Sequence, residues 1–481
     1  MLKNLFVNIF TRLFSSLSAL ILIPIYIRMI GESGYAVIAL YMMVLGVVTF
    51  VSSSFSSVIL REMSISSIDR VNDKSIVVSL ERILFFALVI CLITAISIKE
   101  VALNGPYKEV NSAEAIYYIT VLASLLFLAF NFYVSGIFGK DKQVTSNVCL
   151  ITAIFIKALV GISVLHVFQG DLLNFFISQA LVDFIMTIVA RYTLLYRICH
   201  DVGKGKFDID ILKRNLKFSV GLTLISIIAA INLQADKALV SSMMGLELFS
   251  AYAAAASLAI IPIMLASIIG RSFYPKLVQS VVKLELNKSS SMTLFSARFY
   301  MISCLLIIIC YELLEAELLG VWLGNNSIIT NVTTFFPLMF LSTLLMGMQV
   351  FIYNVALAFK NTKINVVLGS INASIIILLM PIIINAFDVT YMLYAYIALN
   401  LLTSTFYTVL VFIKFKIPGI KKLITEFMLM ISVIILIITV EDVSINLHSI
   451  SLIYRVLCCF ICVFLFLFLI YKQRFVIRSF S

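Results

Sequence analysis

The sequence contains fourteen apolar stretches, each long enough to cross a bilayer, with short polar breaks between them. A span needs about 20 mostly apolar residues, because the hydrocarbon layer is about 30 Å thick and an α-helix rises about 1.5 Å per residue. The stretches fall at about 5–27, 35–60, 83–98, 115–137, 148–167, 173–195, 218–240, 249–269, 294–313, 330–358, 364–386, 391–413, 424–440 and 451–471. Of 481 residues, 62% are hydrophobic and only 12% charged, more apolar surface than one soluble core can hide. The expected fold class is an all-α integral membrane protein of about 14 transmembrane helices.

Charge sets the expected orientation. Cytoplasmic loops carry the excess of Lys and Arg. Of the 35 Lys and Arg, 29 fall in the two terminal segments and alternate loops, above all 191–217, 271–298 and 414–422. Arg28, Lys99, Lys108 and Arg455 fall on the other side, and Lys157 and Lys237 lie inside spans. Both termini are therefore expected in the cytoplasm, with the formal charge of +11 facing anionic lipid rather than nucleic acid. The eight cysteines lie in spans or at cytoplasmic ends, so no disulfide framework is implied. Cys458, Cys459 and Cys462 sit close in an apolar stretch without His or carboxylate neighbours, as small packing residues would. No Walker, HExxH or GxSxG pattern occurs, the one CxxC spacing (Cys459 to Cys462) lies in that apolar stretch, the external loops are short, and His166, His200 and His448 are far apart. The chain reads as a non-enzyme without an ATPase site.

The loop 197–217 divides the first twelve spans into six and six, and the second half opens like the first. Span one ends in Ile27-Arg28-Met29-Ile30-Gly31 with Tyr35 beyond; span seven ends in Ser242-Met243-Met244-Gly245 with Tyr252 beyond. Repeats of six spans are a transporter signature. The expected organisation is an N-terminal six-helix lobe at 1–200, a cytoplasmic linker at 201–217, a C-terminal six-helix lobe at 218–415 and an added two-helix hairpin at 424–472.

The segment from Asn232 through Asp236 to Gly245 and Tyr252, and the opening Asn8-Ile-Phe-Thr-Arg12 through Pro24, Arg28 and Gly31, resemble the O-antigen and polysaccharide flippases (Wzx type). That family lies within the superfamily that also holds multidrug extruders and lipid II flippases. The resemblance implies two pseudo-symmetric lobes in a MATE-like V and a polar cavity with alternating access. The implied cargo is an undecaprenyl-pyrophosphate-linked repeat unit of O-antigen, as in lipopolysaccharide, or of another surface polysaccharide. It also implies residence in the bacterial inner membrane, beside membrane lipids and polysaccharide polymerase machinery. Two rival readings are a multidrug extruder of the same superfamily, and a membrane polymerase or ligase, which would need a large external loop with Arg and His.

Ionisable groups at the centre of a span cost at least about 2.5–3.5 kcal/mol, so each needs a reason. Asn4, Asn8 and Arg12 share one helix face, either lining a cavity, where Arg12 offers a fork to phosphate, or letting Arg12 snorkel to the headgroups. Gln179, Asp183, Thr187 and Arg191 recur every fourth residue. Lys157 lies 13 residues before Gly170 and Asp183 13 residues after it, so the antiparallel spans bring the two to one depth, as an ion pair or a coupling element. Asn232 and Asp236 share a face, as do Gln234, Lys237 and Ser241. The candidate substrate-binding residues are Asn8, Arg12, Lys157, Gln179 and Lys237. Asp183 and Asp236 are candidates for ion pairing or for coupling to H+ or Na+, with no cofactor or metal. Gln349, Asn354, Asn365 and Asn372 are weaker polar candidates, and Tyr353 and Tyr407 candidates for stacking on sugar.

Overall fold

The computed structural model describes residues 2–432 apart from 70–71, 109, 111, 200–204, 325–326, 360, 362, 426 and 429–430. Among the described residues the chain is helical without strands. The main helices are α1 (Leu2–Asp69), α2 (Asp73–Asn104), α3 (Ala113–Gly139), α4 (Gln143–Val167), α5 (Leu172–Tyr192), α6 (Ile209–Met243), α7 (Leu246–Ala259), α8 (Ile261–Val282), α9 (Leu286–Leu323), α10 (Ile329–Ala358), α11 (Lys363–Ala386) and α12 (Val389–Lys414). The first twelve predicted spans all fall on these helices. The thirteenth starts on helical residues and runs past 432; the fourteenth lies outside the described residues. Eleven helical stretches are long and apolar enough to cross a membrane, so fourteen is not reached among the described residues.

The difference lies partly in α1, which carries two spans. At Gly31 the backbone takes φ 72° and ψ −180°, a conformation essentially restricted to glycine because a Cβ would crowd the backbone. The weak repeat survives here: Gly245 sits in the corresponding break between α6 and α7, and Tyr35 and Tyr252 are both buried. A second break falls between α7 and α8, where Pro262 cannot donate a backbone hydrogen bond. The Thr343 hydroxyl of α10 donates to the buried Ala259 carbonyl beside this break at 2.6 Å, which is how membrane helices tolerate such interruptions.

The chain forms two compact units, Met1–Ala253 and Ala254–Ser481. In the first, α3 packs against α1 and α5, and α1 also meets α4 and α6. Its core includes Ile59, Met63, Val77, Ile137 and Leu194. Lys140 pairs with Asp73 at 2.7 Å, and Arg191 grips Glu81 at 2.8 and 3.3 Å, with Tyr133 donating to the same carboxylate at 2.9 Å. These contacts join segments that charge alternation puts on one side. Lys99 and Glu114, which that reading puts on the other side, meet at 2.6 Å. Of the segment expected as a linker, residues 209–217 are already helical in α6. Lys206 and Asp208 donate their backbone N–H groups to Ser75 and Ser79 of α2 at 3.0 and 2.8 Å, and Phe207 lies under Arg82. By packing, therefore, α6 belongs with the first unit, and the division falls after Ala253 rather than in 201–217.

In the second unit α10 packs against α8, α9 and α12. Hydroxyls and amides tie these helices: Asn400 to Ser342 at 3.0 Å, Gln349 to Ser404 at 3.1 Å, and Tyr300 to the Leu344 carbonyl at 2.9 Å.

Two substitutions test this account. A Cβ at Gly31 meets no atom within 4 Å, so Gly31→Ala isolates the backbone strain and is expected to destabilise by about 1–3 kcal/mol. Thr343→Val keeps the shape but leaves the Ala259 carbonyl without its donor, at a cost of about 1–3 kcal/mol. Thermal unfolding in detergent should show both as lowered Tm; an unchanged Tm for either variant refutes the corresponding contact.

Candidate functional site

The site builds from the α4–α5 hairpin. Gly170, at φ 85°, turns the chain, and the Asp171 carboxylate caps α5 by accepting from the backbone N–H groups of Leu173 and Asn174. The equal spacing on either side of this turn brings Lys157 and Asp183 together at 2.8 Å. Tyr41 of α1 joins them: its hydroxyl accepts from the Lys157 ammonium at 3.0 Å and donates to Asp183 at 3.4 Å. The ammonium also lies 5.5 Å from the centre of the Tyr41 ring and 5.9 Å from that of Phe127, within cation–π range. Phe176 meets Tyr41 edge-on and fixes the ring.

The polar face of α5 is divided among different partners. Gln179 is buried and donates to the Lys157 backbone carbonyl at 3.1 Å, which ties α5 to the lysine's helix. Thr187 bonds to the Leu126 and Asp183 carbonyls, and Arg191 is taken by Glu81. Within the pair the lysine is the less buried partner. The Asp183 side chain is 3% exposed and that of Lys157 18%. Two of the three ammonium N–H groups are used by Asp183 and Tyr41.

A second, half-buried pair lies on α6. Asp236 accepts from Tyr252 of α7 at 2.8 Å. Its other oxygen is buried without a hydrogen bond, 3.6 Å from Lys237. Lys237 donates to the Leu233 carbonyl one turn back, and Asn232 to the Ile228 carbonyl. Helix α6 runs antiparallel along the second span of α1. Its Gln234 side chain lies directly against Gly46, where a Cβ would come within 2.6 Å of the amide nitrogen. That register puts Lys237 at a depth near that of Tyr41. The helices that carry the two intramembrane lysines, α4 and α6, both pack on α1.

Asn8 does not stand free. It donates to Gln143 at 3.0 Å and accepts from Asn147 at 2.6 Å, an amide cluster that ties α1 to α4. For Arg12 only the helical backbone is described; its side chain lies outside the described residues. In the second unit, Asn365 accepts from Tyr407, Asn372 accepts from Thr403, and Asn354 lies against Gly270 in a small cleft with Tyr274 and Phe351. Three participants escaped sequence reasoning: Tyr41, Gln143 and Asn147. Tyr41 carried one signal, a tyrosine placed within a span rather than at its end. Among the described residues, no three of His, Cys, Asp and Glu gather to hold a metal ion.

The ion pair makes a sharp prediction. Removing one partner of a buried pair strands the other, at about 3–5 kcal/mol. Lys157→Ala should therefore lower Tm and function more than Lys157→Ala combined with Asp183→Ala. A double variant no better than the single would show that pairing is not what either residue is for.

The comparisons with known proteins follow this geometry. The model of the family described as polysaccharide biosynthesis protein matches residues 1–281, and no curated protein matches in sequence. Among solved structures, the fold is similar to the lipid II flippase MurJ in its inward closed conformation, with a TM-score of 0.69 at 14% identity over 99% of this chain and 100% of that one. It is also similar to an inward-facing MATE-family multidrug resistance transporter of the MOP superfamily, at TM-score 0.62 and 11% identity over 85% and 96%. A third is a MOP-superfamily transporter from Pyrococcus furiosus, at TM-score 0.56 and 10% identity over 87% and 94%. With two packed units, buried charges in its spans and a family match over more than half its length, this multi-pass membrane protein belongs to the polysaccharide biosynthesis protein family and has the fold shared by MurJ and the MATE transporters.

Proposed function

We propose that the chain is a flippase that carries an undecaprenyl-pyrophosphate-linked oligosaccharide, the repeat unit of O-antigen or another surface polysaccharide, from the cytoplasmic to the external leaflet of the bacterial inner membrane. The observation that carries this reading is the asymmetry of the Lys157–Asp183 pair. A buried carboxylate holds a less buried ammonium, and Lys237 lies on a second helix packed on α1. An anionic headgroup is attracted to such a site. An extruder of organic cations would present carboxylates instead. The structures that share the fold are a flippase and transporters, which favours movement of cargo over its chemical conversion.

In this reading the lobes alternate access to the cargo, both termini face the cytoplasm, and polymerase machinery receives the product outside. Arg12 would take phosphate near the cytoplasmic entrance. Coupling to H+ or Na+ would use Asp183 or Asp236, because a carboxylate that gains a proton or cation releases its neighbouring lysine for the cargo.

The test is deletion in the host, followed by assay of surface polysaccharide and of lipid-linked repeat units. Loss of the surface polymer, with single units accumulating on the cytoplasmic face, is expected; complementation by the wild type should restore the polymer, and Lys157→Ala should restore less than a tenth of it. Units stranded unpolymerised on the external face would identify a polymerase instead, and unchanged polysaccharide with altered drug tolerance would identify an extruder.

A further inference from the structure

Amides along the middle of α10, α11 and α12 are spent on the protein itself: Gln349 meets Ser404, Asn372 meets Thr403 and Asn400 meets Ser342. Nearer the end of the second unit that carries Lys276, Lys363 and Lys414, this pairing stops. The side chains of Tyr274 on α8 and of Tyr353 and Asn354 on α10 make no hydrogen bond among the described residues. Asn365 of α11 accepts from Tyr407 of α12, but its Nδ2 is buried without an acceptor.

These groups are neighbours. Asn354 lies over Gly270, where a Cβ would fall 2.6 Å from its amide nitrogen, in a cleft that Tyr274 and Phe351 also line. Tyr353 is within electrostatic reach of both Tyr274 and Tyr407. Tyr407 is buried, whereas Tyr353 is 42% exposed. Four helices thus bring phenols and amides to one place. Thr293 and Ser296 line the same cleft; their hydroxyls donate within their own helix and keep lone pairs with which to accept. No Asp, Glu, Lys or Arg lines it.

A polar group without a partner inside a membrane protein is costly, and it calls for something that completes it. The chemistry of the set narrows what that is. A phosphate would be drawn by cations and an organic cation by carboxylates, and the cleft has neither. Amides and phenols both donate and accept, as the hydroxyls of a sugar do, and an exposed aromatic face suits the C–H side of a sugar ring.

We propose that this end of the second unit is a saccharide-recognition site: the Tyr353 ring stacks on a neutral sugar ring, and Tyr274 and Asn354 bond its hydroxyls, with Asn365 and Tyr407 behind them. That the sugar belongs to a transported lipid rests on the flippase reading; the affinity of the site for saccharide does not.

The test is equilibrium binding to the purified full chain in nanodiscs. The probes are farnesyl diphosphate alone and farnesyl diphosphate linked to N-acetylglucosamine, N-acetylgalactosamine, glucose or galactose. At least one glycosylated probe is expected to bind about tenfold more tightly than the bare one, the scale of one good aromatic or hydrogen-bonded contact. Tyr353→Ala and Asn354→Leu should each erase that difference and leave the affinity of the bare probe unchanged. Asn354→Leu should also keep the wild-type Tm, because the amide supports no hydrogen bond in the fold; a lowered Tm would mark a structural amide and overturn the site. Equal binding of bare and glycosylated probes, or a difference that survives both variants, overturns it too. So does tetraphenylphosphonium binding that Tyr353→Ala abolishes, the mark of a cage for organic cations. If deletion in the host leaves surface polysaccharide unchanged while the sugar-dependent difference is seen, the flippase reading fails and the saccharide site stands. Single units accumulating on the cytoplasmic face, with no sugar-dependent difference, give the reverse.

Discussion

A polar group inside a bilayer has no water to bond to, so it must find its partner within the chain. That constraint organises both units. The α7–α8 break is made good by Thr343, and the Asp236 carboxylate is met by Tyr252. The Lys157 ammonium is held between a carboxylate and a phenol. Hydrophobic burial cannot distinguish one helix from another in such a protein, because lipid tails are as apolar as leucine. The polar contacts, together with the glycines that allow close approach, determine which helices meet and at what register.

The same constraint separates structural polar groups from those left to act. Asn8 and Gln179 looked suited to binding, and each is engaged by the protein: Asn8 by Gln143 and Asn147, Gln179 by the Lys157 carbonyl; Arg191, on the same polar face as Gln179, is engaged by Glu81. Lys157 is engaged as well, yet it keeps an unused N–H and some exposure. A buried pair seldom adds net stability over apolar packing. Its cost in a span therefore calls for a reason beyond stability.

The first unit combines two kinds of polar helix contact. Charge and glycine packing join the second span of α1 to α3, α4 and α5, whereas the hydroxyls of Ser53 and Ser54 meet Ser226 and Thr223 of α6. Serine suits a span because its hydroxyl reaches the carbonyl three or four residues back on the same helix, as those of Ser53 and Ser54 do.

The sequence by itself determined the fold class, the positions of the first twelve spans and the depth match of Lys157 with Asp183. Each follows from local rules: the length of an apolar run, the alternation of basic loops, and equal spacing about a turn. Apolar runs also suggested two further spans at 424–440 and 451–471, which extend beyond the described residues. Tertiary structure decided what depends on contacts between distant segments. Tyr41 reaches a pair 116 and 142 residues away, which no local pattern encodes. Helix α6 packs with the first unit although the basic loop before it looked like a boundary. Gly46 is needed because Gln234 lies on it, and Ser53 and Ser54 meet Ser226 and Thr223, 173 and 169 residues away. Spacing gives the depth and face of each side chain, but only packing selects the partner on the other side.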